Sequence, residues 1–296
     1  MTMSSDSPQP ANRWLRLMRL DKPIGTYLLL WPTLWALWFA GEGAPSAENL
    51  VIFILGVVSM RAAGCVINDY ADRNVDGLVE RTKNRPLPAG EIKSYQALLL
   101  FVLLLLVSLG LVLMTNQLTI MLSVGGLALA TCYPFLKRVT HLPQLGLGAA
   151  WAWAVPMAFA AERGQLPAAL WLIFIAVILW TLAFDTYYGM VDREDDLKIG
   201  IKSTAILFGR YDLAMIALSQ IVTLALLFAA GLHFDRGLIY TAGLLIAGGG
   251  FVRQHLQARH RNREVYFRAF LNNNLVGLVI FIALSADYFF RPQGFL

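Results

Sequence analysis

Charge is what this 296-residue sequence has least of: only 15% of its residues are Asp, Glu, Lys or Arg, against 57% that are apolar. A soluble domain carries about 25% charged residues and a smaller apolar share, so one ordinary core cannot absorb the excess. The same composition excludes intrinsic disorder. Cysteine is nearly missing as well. Cys65 and Cys132 stand alone, without a CxxC or Cys/His spacing, which leaves neither a disulfide framework nor a zinc site. The 4 histidines, His141, His233, His255 and His260, share no spacing and suggest no metal or acid/base role. The leading MTMSSDSPQPAN lacks a basic stretch running into a short apolar one, so no removable signal peptide is expected.

Long charge-free runs take the place of what is absent. Leu98 to Met114 and Leu166 to Phe184 contain no charged residue, and each approaches the ~20 residues that carry a helix across ~30 Å of hydrocarbon. Similar runs predict nine spans, near Ile24 to Ala40, Leu50 to Val66, Tyr95 to Met114, Gln117 to Phe135, Gln144 to Ala161, Pro167 to Met190, Asp212 to Leu232, Gly237 to Val252 and Phe270 to Phe290. The expected fold is therefore all-α and polytopic. Residues 1–20 read as a cytoplasmic segment and 21–296 as a single transmembrane domain.

All but three of the 24 basic residues fall on one side of that arrangement, with Arg61 assigned by the nearer end of its span; Arg163, Arg236 and Arg291 fall on the other. Positively charged loops stay in the cytoplasm, so the N-terminus is expected inside and, after nine spans, the C-terminus outside. Five loops share the positive charge, which argues for topology and contact with anionic lipid rather than for nucleic-acid binding.

Positive-inside sorting cannot explain where the acidic residues lie. Asp69, Asp72 and Asp76 follow the second span, and Asp185, Asp192, Asp195 and Asp196 lie at and after the end of the sixth. If the second span stays helical through Asp76, then Arg61, Asn68, Asp72 and Asp76 share an arc of ~80° at ~100° per residue. Asp185, Asp192 and Asp196 fall within ~40°, with Asp195 displaced by ~60° from Asp192. Asp72-Arg73 with Asp76 recurs as Asp192-Arg193 with Asp196. Aspartates at a membrane surface cost energy, and grouping them adds like-charge repulsion, so a cation must compensate. Carboxylate and amide oxygens suit Mg²⁺, which completes its octahedron with water and phosphate oxygens. Two such stripes facing each other would hold two Mg²⁺ ions with a diphosphate between them. Arg81, Lys83, Arg85, Lys137, Arg138, Lys198 and Lys202 surround them with charge suited to phosphate.

Arg61 lies inside the apolar run VIFILGVVSMRAAGCVI, where an arginine is either a binding residue or half of a structural pair with another helix. The binding reading gives it the carboxylate of a substrate seated deeper than the diphosphate. Outside the enzymes, a secondary transporter or cation channel also uses intramembrane charge, although its charges belong near the midplane rather than at one face.

The segment N68-D-Y-A-D72-R-N-V-D76 resembles the first aspartate-rich motif, NxxxDxxxD, of the UbiA superfamily of intramembrane prenyltransferases. D185-T-Y-Y-G-M-V-D192-R-E-D-D196 resembles the second motif with its upstream Asp, and Tyr133 with Lys137 matches the YxxxK element. The linking segments R81-T-K-N-R-P-L-P-A-G90, Y133-P-F-L-K-R-V-T-H-L-P-Q144 and L197-K-I-G-I-K-S-T-A-I-L-F-G209 resemble the branch that prenylates 4-hydroxybenzoate for ubiquinone. The resemblance implies a bundle of nine helices around a central cavity open to the cytoplasmic side. It also implies two Mg²⁺ ions bridged by an allylic diphosphate and held by Asn68, Asp72, Asp76, Asp192 and Asp196. Arg81, Lys83, Arg85, Tyr133, Lys137, Lys198 and Lys202 are then expected on the diphosphate. Arg61 or Arg138 is expected on the aromatic carboxylate, and Asp185 or Asp195 near the phenol. Homogentisate, dihydroxynaphthoate and haem remain as other acceptors of the same chemistry.

Overall fold

The computed structural model describes residues 12–74, 76–78 and 82–290. In chain order its helices are α1 (Arg13–Leu17), α2 (Ile24–Ala40), α3 (Ala47–Asp72), α4 (Ser94–Val112), α5 (Gln117–Val139), α6 (Pro143–Ala152), α7 (Ala154–Arg163), α8 (Leu170–Ile199), α9 (Thr204–Phe208), α10 (Asp212–His233), α11 (Leu238–Ala258) and α12 (Arg263–Phe290). Every one of the nine charge-poor stretches is helical. Six helical stretches are long and apolar enough to cross a membrane, and α2 is a shorter apolar helix.

α8 lies at the centre, packed against α6, α7, α10 and α12. Aromatic side chains fill the interior: Trp35 and Trp180 meet at 5.1 Å between ring centroids, Phe39 and Tyr240 at 5.9 Å. Their polar edges are satisfied locally, Trp35 Nε1 donating to the Gly277 carbonyl (3.1 Å) and Trp180 Nε1 to Asn273 Oδ1 (2.9 Å). Without water to drive helices together, such packing and interhelical hydrogen bonds hold a bundle. α4 and α5 instead turn large apolar side chains outward, Leu99, Leu106, Met121 and Val124 among them, as a lipid-facing surface requires.

The structure departs from the expected helices in three places that shape the site. The fifth stretch is broken at Trp153 into α6 and α7. Pro156 provides the reason, because it has no N–H to donate and its ring crowds the carbonyl of Ala152. The Trp153 indole then anchors the break on α5, donating to the Leu122 carbonyl at 2.7 Å. α8, by contrast, runs unbroken past Asp196 and stops at Gly200, whose φ of 73° suits a residue without a Cβ. α3 ends at Asp72, so the helical stripe does not extend to Asp76, which sits in a separate 3-10 turn, Asp76–Leu78. Side chains take up the last carbonyls of α3: Arg73 Nη1 donates to Tyr70 O (2.7 Å) and Arg138 Nη2 to Ala71 O.

Candidate active site

A cavity of about 680 Å³ lies at the end of the bundle shared by the C-termini of α3, α5 and α8. Asn68 and Asp72 from the last turns of α3, Asp76 from the 3-10 turn, and Asp185, Asp192 and Asp196 from α8 all line it. On α8 the positions repeat at seven and four residues, so one helix face delivers all three carboxylates. Asp76 reaches the same space from the 3-10 turn, where Arg85 takes its carboxylate at 2.7 Å.

Cations neutralise the first acidic group. Lys137 pairs with Asp72, and Arg85 bridges Asp76 and Asp69, the latter at 3.1 Å. Among the described residues no three carboxylate, imidazole or thiol side chains converge on one point. The donor set nonetheless fits Mg²⁺. Asp72 Oδ1 is buried with no hydrogen-bond partner, a costly arrangement for a carboxylate oxygen unless a ligand meets it. The other donors around the cavity are hard oxygens, and Mg²⁺ needs only one or two carboxylates per ion when phosphate and water complete its shell.

The α8 motif is braced from behind. Asp212, fully buried at the start of α10, accepts from Arg193, the neighbour of Asp192, and from Arg261 Nη1 at 2.7 Å. On the other side, Lys202 N–H donates to the Lys137 carbonyl (3.0 Å) and Thr204 N–H to Gln144 Oε1 (3.0 Å), which pins the segment after α8 to α5 and α6.

Arg61 stands about 16 Å along α3 from Asp72, at 1.5 Å per residue. Its Nη1 lies 2.8 Å from Cys65 Sγ, its guanidinium 5.8 Å from the centre of the Trp151 ring, and its Nε is buried without a partner. Gly25 makes the room: a Cβ there would come within 2.6 Å of Arg61 Nε. Arg61, Tyr133 and Trp151 also line a second cavity of about 490 Å³, walled mainly by apolar side chains such as Val57, Met60, Leu105, Leu109 and Met157, with a few hydroxyls such as Ser108 and Thr119 among them. A polar cavity and an apolar one thus meet at three shared side chains.

Residues 29–282 match the model of the UbiA prenyltransferase family. The chain belongs to that family. It is 59% identical over 278 residues to 4-hydroxybenzoate octaprenyltransferase of Ectopseudomonas mendocina, with 94% of each chain covered. Among solved structures, a UbiA homologue from Aeropyrum pernix K1 in its apo form superposes with a TM-score of 0.76 at 26% identity, over 86% of this chain and 97% of that one. A UbiA homologue from Archaeoglobus fulgidus, solved bound to GPP and Mg²⁺, shares the fold at 20% identity with a TM-score of 0.67, over 93% of this chain and 100% of that one.

Against the family's motifs, the UbiA fold here brings together Arg61, Asn68, Asp72, Asp76, Arg85, Tyr133, Lys137, Asp185, Asp192, Asp196 and Lys202 around the polar cavity. Four expected residues lie elsewhere. Asp195 turns away from Asp192, accepting from Lys198 at 3.3 Å and facing Arg263 at 3.6 Å; Lys198 itself is 73% exposed. Lys83 is exposed, and Arg138 is spent on the end of α3. Arg81 lies outside the described residues. The sequence reading missed the arm ahead of α2: Arg16, Arg19, Asp21 and Lys22 all line the cavity. Arg16, Arg19 and Lys22 were counted only as topological charge, and no motif marked any of the four.

Proposed function

We propose that this UbiA-family chain transfers a polyprenyl group from polyprenyl diphosphate to the ring carbon ortho to the hydroxyl of 4-hydroxybenzoate, releasing diphosphate. The observation that carries this reading is the meeting of an aspartate-lined cavity with an apolar one at Arg61, Tyr133 and Trp151. The high identity to curated 4-hydroxybenzoate octaprenyltransferases supports the acceptor.

Asn68, Asp72, Asp76, Asp192 and Asp196 hold Mg²⁺, two ions in this reading, and bound Mg²⁺ neutralises the diphosphate as a leaving group. Lys137, Arg85 and Lys202 add positive charge around the phosphate oxygens, and Lys137 exchanges its Asp72 partner for them. The scissile C–O bond breaks to an allylic cation, and the aromatic walls around Trp151 and Tyr188 keep water from quenching it. Arg61 takes the carboxylate of the acceptor and orients the ring. Asp185, a charge neighbour of Arg61 on the cavity wall, accepts the phenolic proton and so enriches the ortho carbon that attacks. A C–C bond forms there, the ring proton passes to the released diphosphate as aromaticity returns, and Asp185 gives its proton back to the phenolate oxygen. The prenyl chain lies in the apolar cavity beside α4 and α5.

The chain is read as one domain over residues 21–296 that crosses a bacterial inner membrane nine times, with its N-terminus cytoplasmic and its C-terminus periplasmic. Prenyl transfer by purified protein in lipid, with 4-hydroxybenzoate and a polyprenyl diphosphate, tests the reading. Product carrying the prenyl group at carbon 3, formed with Mg²⁺ and lost with excess EDTA, is the expected result. Folded protein that prenylates homogentisate or dihydroxynaphthoate but not 4-hydroxybenzoate would overturn the acceptor.

A further inference from the structure

Asp69 belongs to the first acidic group by sequence, yet its surroundings differ from those of Asp72. Its side chain is 1% exposed, and both oxygens are taken by arginines from two other segments. Arg19 Nη2 donates to Oδ1 at 2.9 Å and Oδ2 at 3.0 Å, and Arg85 Nη1 donates to Oδ1 at 3.1 Å. Asp72 keeps an oxygen without a hydrogen-bond partner, whereas Asp69 keeps none. A carboxylate so engaged by two guanidiniums is shaped to aim them, not to coordinate a metal.

The Arg19 backbone is built for that contact. Its φ of 56° lies in the left-handed region that residues with a Cβ disfavour. The turn folds Arg19 back, with Nη1 donating to the Arg16 carbonyl at 2.9 Å, so that its guanidinium reaches across to α3. Surrounding packing over-determines this conformation. Leu17 is fully buried with Val66 of α3 and with Leu87 and Ile92 of the following loop. Arg16 clamps Glu91 at 2.8 Å and the Asn84 carbonyl at 2.8 Å. The arm, the loop that carries Arg85 and the last turns of α3 therefore form one packed unit beside the cavity.

We propose that Asp69 is a positioning residue that aims the guanidiniums of Arg19 and Arg85 at the diphosphate, and that the arm before α2 thereby contributes Arg19 as a phosphate contact. The inference rests on the function proposed above. Asp69 and Arg16 take at most three of Arg19's five N–H donors, which leaves at least two for an anion in the cavity it lines.

The test compares Asp69→Asn, Arg19→Gln, Arg19→Lys and the double variant Asp69→Asn/Arg19→Gln with the parent chain in lipid. Thermal melting reports folding. Steady-state kinetics give KM for polyprenyl diphosphate, KM for 4-hydroxybenzoate and the Mg²⁺ half-saturation point, and calorimetry gives the affinity for inorganic diphosphate with Mg²⁺. Losing one charged hydrogen bond predicts that Asp69→Asn and Arg19→Gln each weaken both diphosphate measures by about 10- to 100-fold. KM for 4-hydroxybenzoate and Mg²⁺ half-saturation stay at parent values, Arg19→Lys recovers part of the loss, and the double variant is little worse than Asp69→Asn. A shift of Mg²⁺ half-saturation in Asp69→Asn would make Asp69 a metal ligand and overturn the proposal, as would unchanged diphosphate affinity in folded Arg19→Gln. Should the parent chain form no product, the functional reading falls separately. The calorimetric affinity of the Asp69 and Arg19 variants for inorganic diphosphate still decides this inference: weakened in favour, unchanged against.

Discussion

Replacing Arg61 with glutamine isolates the contact that chooses an acid as acceptor. In the structure the guanidinium touches Cys65 Sγ and Trp151, with Asp185 close enough to act on its charge, and among the described residues no carboxylate makes a salt bridge to it. What it removes is the partner of the 4-hydroxybenzoate carboxylate. Truncating one member of a buried, hydrogen-bonded charge pair costs about 2–5 kcal/mol. At 1.36 kcal/mol per tenfold, kcat/KM for 4-hydroxybenzoate should fall by about 30- to several thousand-fold. The assay runs parent and variant against 4-hydroxybenzoate and its methyl ester, with polyprenyl diphosphate saturating. The parent should disfavour the ester by a factor of similar size, and Arg61→Gln should treat acid and ester nearly alike, because the variant has lost what tells them apart. KM for the diphosphate should hold, since Arg61 lies about 16 Å from Asp72 along α3. Equal losses on acid and ester in a variant that melts like the parent would refute the assignment and return Arg61 to a packing role beside Gly25.

The remaining expectations concern the metal, the tail and the bundle. Asp72→Asn and Asp192→Asn should each reduce turnover by about a thousandfold or more, as loss of leaving-group stabilisation on that scale implies, while thermal melting in detergent shows both variants folded. Asp195→Asn should stay within a few-fold of the parent, because Asp195 engages Lys198 and Arg263 outside the cavity; a loss matching that of Asp192→Asn would contradict this placement. Gly56 lines the apolar cavity, and a Cβ there meets nothing within 4 Å, so Gly56→Trp should cut transfer from long polyprenyl diphosphates while sparing a five-carbon donor in competition assays. Gly277→Ala should lower the melting temperature, because the new Cβ would sit 2.6 Å from Trp31 Cδ1 and 2.9 Å from Trp180 Cη2; overpacking of this kind costs about 1–3 kcal/mol.

Much of this was legible from residue order because a membrane leaves few options. A charge-free run of about 20 residues has to be helical, since only a helix satisfies its own backbone there, and each expected stretch is helical, the fifth as the two helices on either side of Trp153. The α8 motif was legible for a related reason: its seven- and four-residue spacing lies on one continuous helix, so an angular argument holds through Asp196. The same argument failed at Asp76, where the chain leaves the helix after Asp72 and returns through a 3-10 turn held by Arg85. Periodicity says nothing beyond a helix end. Arg138 and Lys198 carry charge suited to phosphate, yet one caps α3 and the other is exposed, because direction depends on which side of its helix each occupies. The arm at Arg16 to Lys22 was hidden for the opposite reason: the topology rule already accounted for its charge, and only packing through Leu17 shows that it folds over the site.

Arg61, Tyr133 and Trp151, the side chains common to both cavities, make the enzyme a one-way crossing between two solvents. The acid arrives dissolved in water, and the chain it receives is dissolved in oil. On the function proposed above, the new molecule straddles that junction with its head among the charges and its tail among the leucines. Backing out through the polar side would drag every methylene into water at about 0.8 kcal/mol each, whereas sliding sideways into the bilayer exposes none of them. In that reading direction is written into solubility, and a polar metabolite becomes a resident of the membrane.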